Sequence, residues 1–240
     1  MTSTSSSSTD PSSPGAPALV LEGARRDAQW ALAHEDRIVG GRIKDRGAAE
    51  RLATEVEGGL RELGLDASQI VHVIVGIGPG SYAGLRIVLA FAKGITHALG
   101  AKIVAVPSLQ AMLRDVDLAI ARGEAVPAHA RRIAMMNAFG GQLFAAGGGV
   151  KDDAYTPASF NAALGDGNDV LGVIDGELPM RRELAVPAYF DLRTVERDLP
   201  FGVLAIGREM IARGDFADVT TLLPRYGQAS SAELKANGIA

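Results

Sequence analysis

Residues 70–107 read IVHVIVGIGPGSYAGLRIVLAFAKGITHALGAKIVAVP, and this stretch decides the fold. Val71, Val73, Ile74, Val75 and Ile77 form a nearly continuous β-branched run, the pattern of a strand buried on both faces. Gly76, Gly78, Pro79, Gly80 and Gly84 then interrupt it. Leu85, Val88, Leu89, Ala92, Ile95 and Leu99 recur at three- and four-residue steps, the period of an amphipathic helix. Arg86, Lys93 and His97 fall on another side of that helix. Gly100 is a natural C-terminal stop, and Lys102–Val106 reads as a second short strand closed by Pro107. Strand, crossover helix and parallel strand predict a right-handed βαβ unit.

The glycine loop supports two readings. Gly78, Gly80 and Ser81 can form a phosphate or anion loop, with backbone N–H groups at the positive end of a helix. Alternatively, the glycines permit a sharp turn and close packing of strand on helix. The spacing formally fits G-x-G-x-x-G/A, but a dinucleotide site needs an acidic residue about 20 positions on. No Asp or Glu occurs between Ser81 and Asp115. No Gly-Lys-Ser/Thr follows either, so this is not a Walker A loop.

Working outward, Ala18–Leu21, Gln29–His34 and Arg37–Ile43 read as three strands. A helix over 48–63 follows, with Leu52, Val56, Leu60 and Leu63 as its buried stripe. The order β-β-β-α-β-α-β suits an RNase H-like half, the building block of actin-like folds. Downstream, Ser108 is placed to cap a helix carrying Leu109, Met112, Leu113 and Val116. Arg132–Asn137 and Gln142–Ala146 read as a hairpin joined by Phe139-Gly140-Gly141. Thr156-Pro157 leads into a short helix at 160–164, and Val170–Ile174 is a buried-type strand. Residues 181–195 lack periodicity and read mostly as loop. A last helix starts at Pro200 and stops at Gly214. The expected organisation is a Ser/Pro-rich disordered tail at 1–17, an N-terminal half at 18–107, a smaller C-terminal α/β half at 108–226 and a frayed tail at 227–240.

The chain has 240 residues, 47% of them hydrophobic, enough for a sizeable core. A net charge of −4 gives no global basic field to attract nucleic acid. The absence of cysteine excludes disulfides, thiolate zinc sites and cysteine nucleophiles. The four histidines are scattered, without an H-x-x-x-H pair. No apolar run approaches the roughly 18 residues of a membrane span, and residues 1–17 lack the features of a secretory signal. The cytoplasm is the expected location.

Residues 78–100, GPGSYAGLRIVLAFAKGITHALG, followed by Val106-Pro107-Ser108-Leu109, resemble the signature of the bacterial TsaB family. Gly78, Pro79, Gly80, Ser81, Gly84, Leu85, Arg86, Ala90, Lys93, Gly94, Ser108 and Leu109 match its pattern. The resemblance implies an actin-like ATPase (RNase H-like) fold of two mixed-sheet α/β halves. It also implies a non-catalytic partner of TsaD, the ATPase subunit that threonylcarbamoylates adenosine 37 of tRNA. Such a chain contacts tRNA only through the complex, carries no cofactor of its own, and meets a nucleotide only at a partner interface.

Two segments depart from the family pattern. Asp-Thr after the first strand is replaced by Glu22-Gly23, so Glu22 is an exposed turn residue or a remnant metal ligand. The family's Asp-Ala-Arg-x-x-Glu-Val-Tyr becomes Asn137-Ala138-Phe139-Gly140-Gly141-Gln142-Leu143-Phe144, which loses three charges. The two histidines one helical turn apart that mark the catalytic TsaD branch are missing from 48–63. Ser81 has no G-x-S-x-G elbow, and the pairs Asp115/Asp117 and Asp152/Asp153 read as solvated. These features predict an interaction protein rather than an enzyme. By resemblance the interface lies on the first-half helices, at Leu52, Val56, Leu85, Arg86, Leu89 and Lys93. Arg86 and Lys93 serve there as contacts to an anion or a partner carboxylate, or simply line a solvated stripe. The same helices suit a homodimer of the isolated chain. The remaining readings are a drifted paralogue that only self-associates, and an actin-like nucleotide-binding phosphotransferase.

Overall fold

Strand β1 (Ala18–Glu22) is buried along its whole length. It therefore takes the centre of a sheet, between β2 (Ala28–His34), antiparallel, and β4 (His72–Gly76), parallel. With β3 (Arg37–Ile43) and β5 (Lys102–Val106) the order is β3-β2-β1-β4-β5. Alternation along β1 divides the two faces. Leu19 and Leu21, with Trp30, Leu32, Val73 and Val75, pack under α1 (Ala48–Leu63) and α2 (Tyr82–Leu99). Ala18, Val20, Ala31, Ala33 and Ile74 face the other way, against α5 (Phe201–Arg213). These small residues let α5 approach closely, and a Cβ at its Gly207 would strike Ile74.

The computed structural model describes residues 13, 15–25, 27–44, 47–195 and 198–226. Within them a second sheet repeats the plan. Its order is β10-β9-β6-β7-β8, the same arrangement read from the opposite edge. It is built from β6 (Arg131–Asn137), β7 (Leu143–Gly147), β8 (Val150–Tyr155), β9 (Val170–Ile174) and β10 (Ala188–Asp191). On one face, Leu109, Met112 and Val116 of α3 (Ser108–Ala121) meet Ala134, Met136 and Phe144. On the other, Phe160 and Leu164 of α4 (Pro157–Leu164) meet Ile133, Met135 and Leu143. The helix following each sheet crosses to the neighbouring half. Thus α3 packs on β6, β7 and β9, α5 packs on β1, β4 and β5, and the two helices touch. This is the expected pair of mixed-sheet α/β halves, interlocked through α3 and α5.

Several expectations need correction. Residues 15–17 belong to the packed structure rather than to a tail: Ala16 is buried and the Pro17 carbonyl accepts from Val71 and His72 N–H. Residues 1–12, 14 and 227–240 lie outside the described residues. Two strands were not anticipated. β8 carries Lys151, Asp152 and Asp153, charges suited to an edge strand but masking any apolar alternation. β10 has only four residues and sits at the other edge, parallel to β9, inside the stretch expected as loop. Ser108 is not the cap of α3; Pro107 holds that position, and the Ser108 hydroxyl is used elsewhere.

Gly94 lies on the exposed side of α2, where an added Cβ meets nothing within 4 Å. Gly94→Ala should raise unfolding stability by about 0.5–1 kcal/mol, because glycine costs more backbone entropy in a helix. Urea unfolding followed by circular dichroism checks this.

Candidate functional site

The glycine loop faces inward. Gly78 and Gly80 hold φ of 95° and 156°, and the Gly78–Pro79 bond is cis. A Cβ at Gly80 would collide with the Ala24 carbonyl, so the β1–β2 turn approaches the loop backbone directly. That approach uses up the loop's donors. Ser81 N–H donates to Ala24 O at 2.6 Å, and Gly78 N–H to Ser108 Oγ at 3.1 Å. The Ser81 hydroxyl caps α2 by accepting from Gly84 N–H at 3.2 Å. In the expected anion loop at Gly78, Gly80 and Ser81, the Gly78 and Ser81 N–H groups are thus turned to the protein's own atoms, and Gly80 packs against the Ala24 carbonyl. Gly84 is equally tight against the Gly23 carbonyl. Gly84→Ala should cost about 1–3 kcal/mol, since the obstructing atoms are backbone and cannot rotate away. Thermal unfolding measures it.

Glu22, expected at a turn surface or on a metal, is only 1% exposed. Its Oε1 accepts from Ala24 N–H at 2.6 Å and from the Ser108 hydroxyl at 3.2 Å, while Oε2 lies against Gly76. Burial pushes this carboxyl above the usual glutamate range, opposed by the nearby Arg25 charge and the hydrogen bonds. The folded state then holds the Glu22 proton more tightly than the unfolded chain. Stability falls as pH rises from the ordinary glutamate value through the folded one, by up to about 1.4 kcal/mol per pH unit. Glu22→Gln should remove that slope, as denaturant titrations between pH 5 and pH 8 would show. Among the described residues no cluster of three or more His, Cys, Asp or Glu is placed to hold a metal.

Beside Glu22, Arg25 reaches across the molecule. Its guanidinium pairs with Asp115 of α3 at 2.7 Å and with Asp175, just past β9, at 3.2 Å. All three side chains are at most 8% exposed. Asp115, expected to be solvated, also accepts from Gly202 N–H at the start of α5, at 2.7 Å. Burial pushes Asp115 upward while Arg25 draws it back. Next to this cluster a cleft of about 540 Å³ runs between the halves, lined by Gln29, Arg42 and Lys44 on one side and Asn137, Asp175 and Glu177 on the other.

The outer surface of α1 and α2 is different in character. A groove of about 630 Å³ lies between them, lined by Ala49, Tyr82, Ala83, Ile87, Ala90 and Phe91. Its floor is apolar and its rim carries Arg86. Of the expected interface residues, Leu52, Val56, Leu85 and Leu89 are buried, three of them in the core beneath the helices and Leu85 against α3. They are corrected to core; only Leu52 reaches the groove at all. Arg86 is on the open face, 5.4 Å over the Tyr82 ring. Lys93 is half-buried, and its ammonium donates to Leu222 O at 2.9 Å. It anchors a terminal strap that also bonds Ile77 O through Arg225 N–H at 2.7 Å and lays Tyr226 against Tyr82, with ring centroids 4.5 Å apart. At Tyr226 this segment lies at one margin of the groove. Ile87, Ala90 and Phe91, apolar residues outside the buried stripe of the helix by its period, line this groove, whereas nothing in the sequence marks Arg25.

Residues 41–168 match the family model described as TsaD: tRNA N6-adenosine threonylcarbamoyltransferase, which is more than half of the chain. The chain belongs to that family. It is a TsaB-like member, with the actin-like ATPase fold. YeaZ from Pseudomonas aeruginosa superposes with a TM-score of 0.70 at 21% identity, covering 88% of this chain and 99% of that one. A P. aeruginosa protein described as uncharacterized, with similarity to peptidase YEAZ, gives 0.72 at 20% identity, over 89% and 100%. Among curated relatives, the uncharacterized proteins Rv3421c of Mycobacterium tuberculosis and Mb3455c of Mycobacterium bovis are 37% identical over 81 residues. That alignment spans 33% of this chain and 38% of each relative. No helix among the described residues of this TsaB-like chain is long and apolar enough to cross a membrane.

Proposed function

We propose that this TsaB-like chain is a non-catalytic subunit acting in tRNA modification. It pairs with a TsaD-like ATPase subunit for threonylcarbamoylation of adenosine 37, in the cytoplasm. The open groove between α1 and α2 carries the proposal. It is an apolar face of about 630 Å³, floored by alanines and half-buried Ile87 and Phe91, on the helix that holds the family signature. Small residues there let partner helices approach closely, and Arg86 offers a charge at the rim for a partner carboxylate. Without that subunit, the same face pairs two copies of the chain.

A non-catalytic role is supported by how the polar positions singled out in the sequence are used. Glu22 is bonded to Ala24 and Ser108, Ser81 caps α2, and Phe139-Gly140-Gly141 replaces the family's charged turn. Transfer RNA then meets this chain only through the complex. The test is co-purification with the TsaD-like subunit of the same source, with modification of tRNA assayed with and without this chain. A stable complex whose modifying activity depends on the chain is the expected result. Modification at full rate without it, or no complex at micromolar concentrations, overturns the proposal.

A further inference from the structure

A cleft of about 540 Å³ lies between the two halves. Here the cleft wall contains a buried ionic knot. Arg25 comes from the β1–β2 turn of the first half. Asp175 follows β9 of the second half, and Asp115 stands on α3, the helix packed on the second sheet. The second Asp115 bond, from Gly202 N–H at 2.7 Å, ties in α5, which lies on the first sheet. Two carboxylates of the second half therefore grip a guanidinium and a backbone N–H of the first. Glu22 faces the same guanidinium from β1.

We infer that Arg25 is a built-in clasp that fastens the second half to the first across the cleft, so that the two halves move as one body without any ligand between them. The geometry explains why a guanidinium serves. Its fork reaches two carboxylates on different elements at once, and it keeps its charge under all physiological conditions. An ammonium at the same place would offer a point charge without the fork. The excluded water makes each contact stronger than a surface pair of similar length. Arg225 adds a weaker, half-exposed link between the halves, from the terminal strap to Asp152 of β8 at 3.0 Å. The clasp holds whichever partner covers the α1–α2 groove, because none of its residues lines that groove.

The chain has no cysteine, so two labels can be placed at will. Lys44→Cys and Glu177→Cys put spin labels on exposed positions at opposite sides of the cleft. Electron–electron distance measurements on the full chain should give one narrow distribution. Adding Arg25→Met should broaden it and introduce a longer-distance population. Asp175→Asn, which leaves the Asp115 bond intact, should do the same to a smaller extent. If Arg25→Met fails to fold by circular dichroism, Asp175→Asn decides alone. An unchanged distribution in the folded variants would overturn the inference, as would a broad distribution in the parent chain.

Discussion

A chain carrying Ala90→Arg should lose its TsaD-like partner and keep its fold. Ala90 is exposed on α2 and lines the apolar groove, so an added guanidinium stem fills the space that a partner helix must enter. The obstruction acts at the middle of the face, where interface energy concentrates, and it leaves a charge to be desolvated on binding. A loss of about 100-fold in affinity, about 2.7 kcal/mol, is expected. Unfolding stability should shift by no more than about 0.5 kcal/mol, because the site is a solvated helix position. Ala162→Arg, on the exposed side of α4 in the second half, should leave binding unchanged. Isothermal titration with each variant separates these outcomes.

The largest stability effect should come from Arg25. Removing its charge strands Asp115 and Asp175, each at most 7% exposed, without their cation. Breaking a buried pair from one side costs about 3–5 kcal/mol, and Arg25→Met should fall in that range. Combining Arg25→Met with Asp175→Asn should cost less than the sum of the two single changes, because the second removes one of the stranded charges. The surface pair Arg132–Asp117 provides the contrast. Its side chains are 33% and 51% exposed, so Asp117→Ala should cost under about 1 kcal/mol. Guanidinium unfolding of the single and double variants measures the coupling.

The strongly periodic segments were legible in the sequence. The run from Val71 to Val106 resolves into β4, α2 and β5 where its pattern changes from continuous to helical and back. Of the edge strands, β3 and β5 were legible, while β8, mostly charged, and β10, only four residues long, were not. Both helices of the proposed interface were legible, but four of the residues assigned to it, Leu52, Val56, Leu85 and Leu89, are buried. Leu52, Leu85 and Leu89 have the apolarity that an interface seems to need, yet a helix on a sheet spends its largest side chains on the sheet. The outward face combines the small Ala49, Ala83 and Ala90 with half-buried Ile87 and Phe91. Arg25 was hidden for a different reason. In the sequence it falls in a polar stretch at 22–27 that reads as a solvated turn, and Asp115 is 90 residues away along the chain. Asp115 and Asp117 look like one exposed pair, but a two-residue step on a helix turns them to different sides, one into the junction and one toward Arg132.

Hydrogen–deuterium exchange on the full chain, alone and saturated with the TsaD-like subunit, tests the central claim most directly. New protection should concentrate in residues 48–63 and 82–99, with the second sheet unchanged. Protection confined to the second sheet, or none at saturating partner, would contradict it.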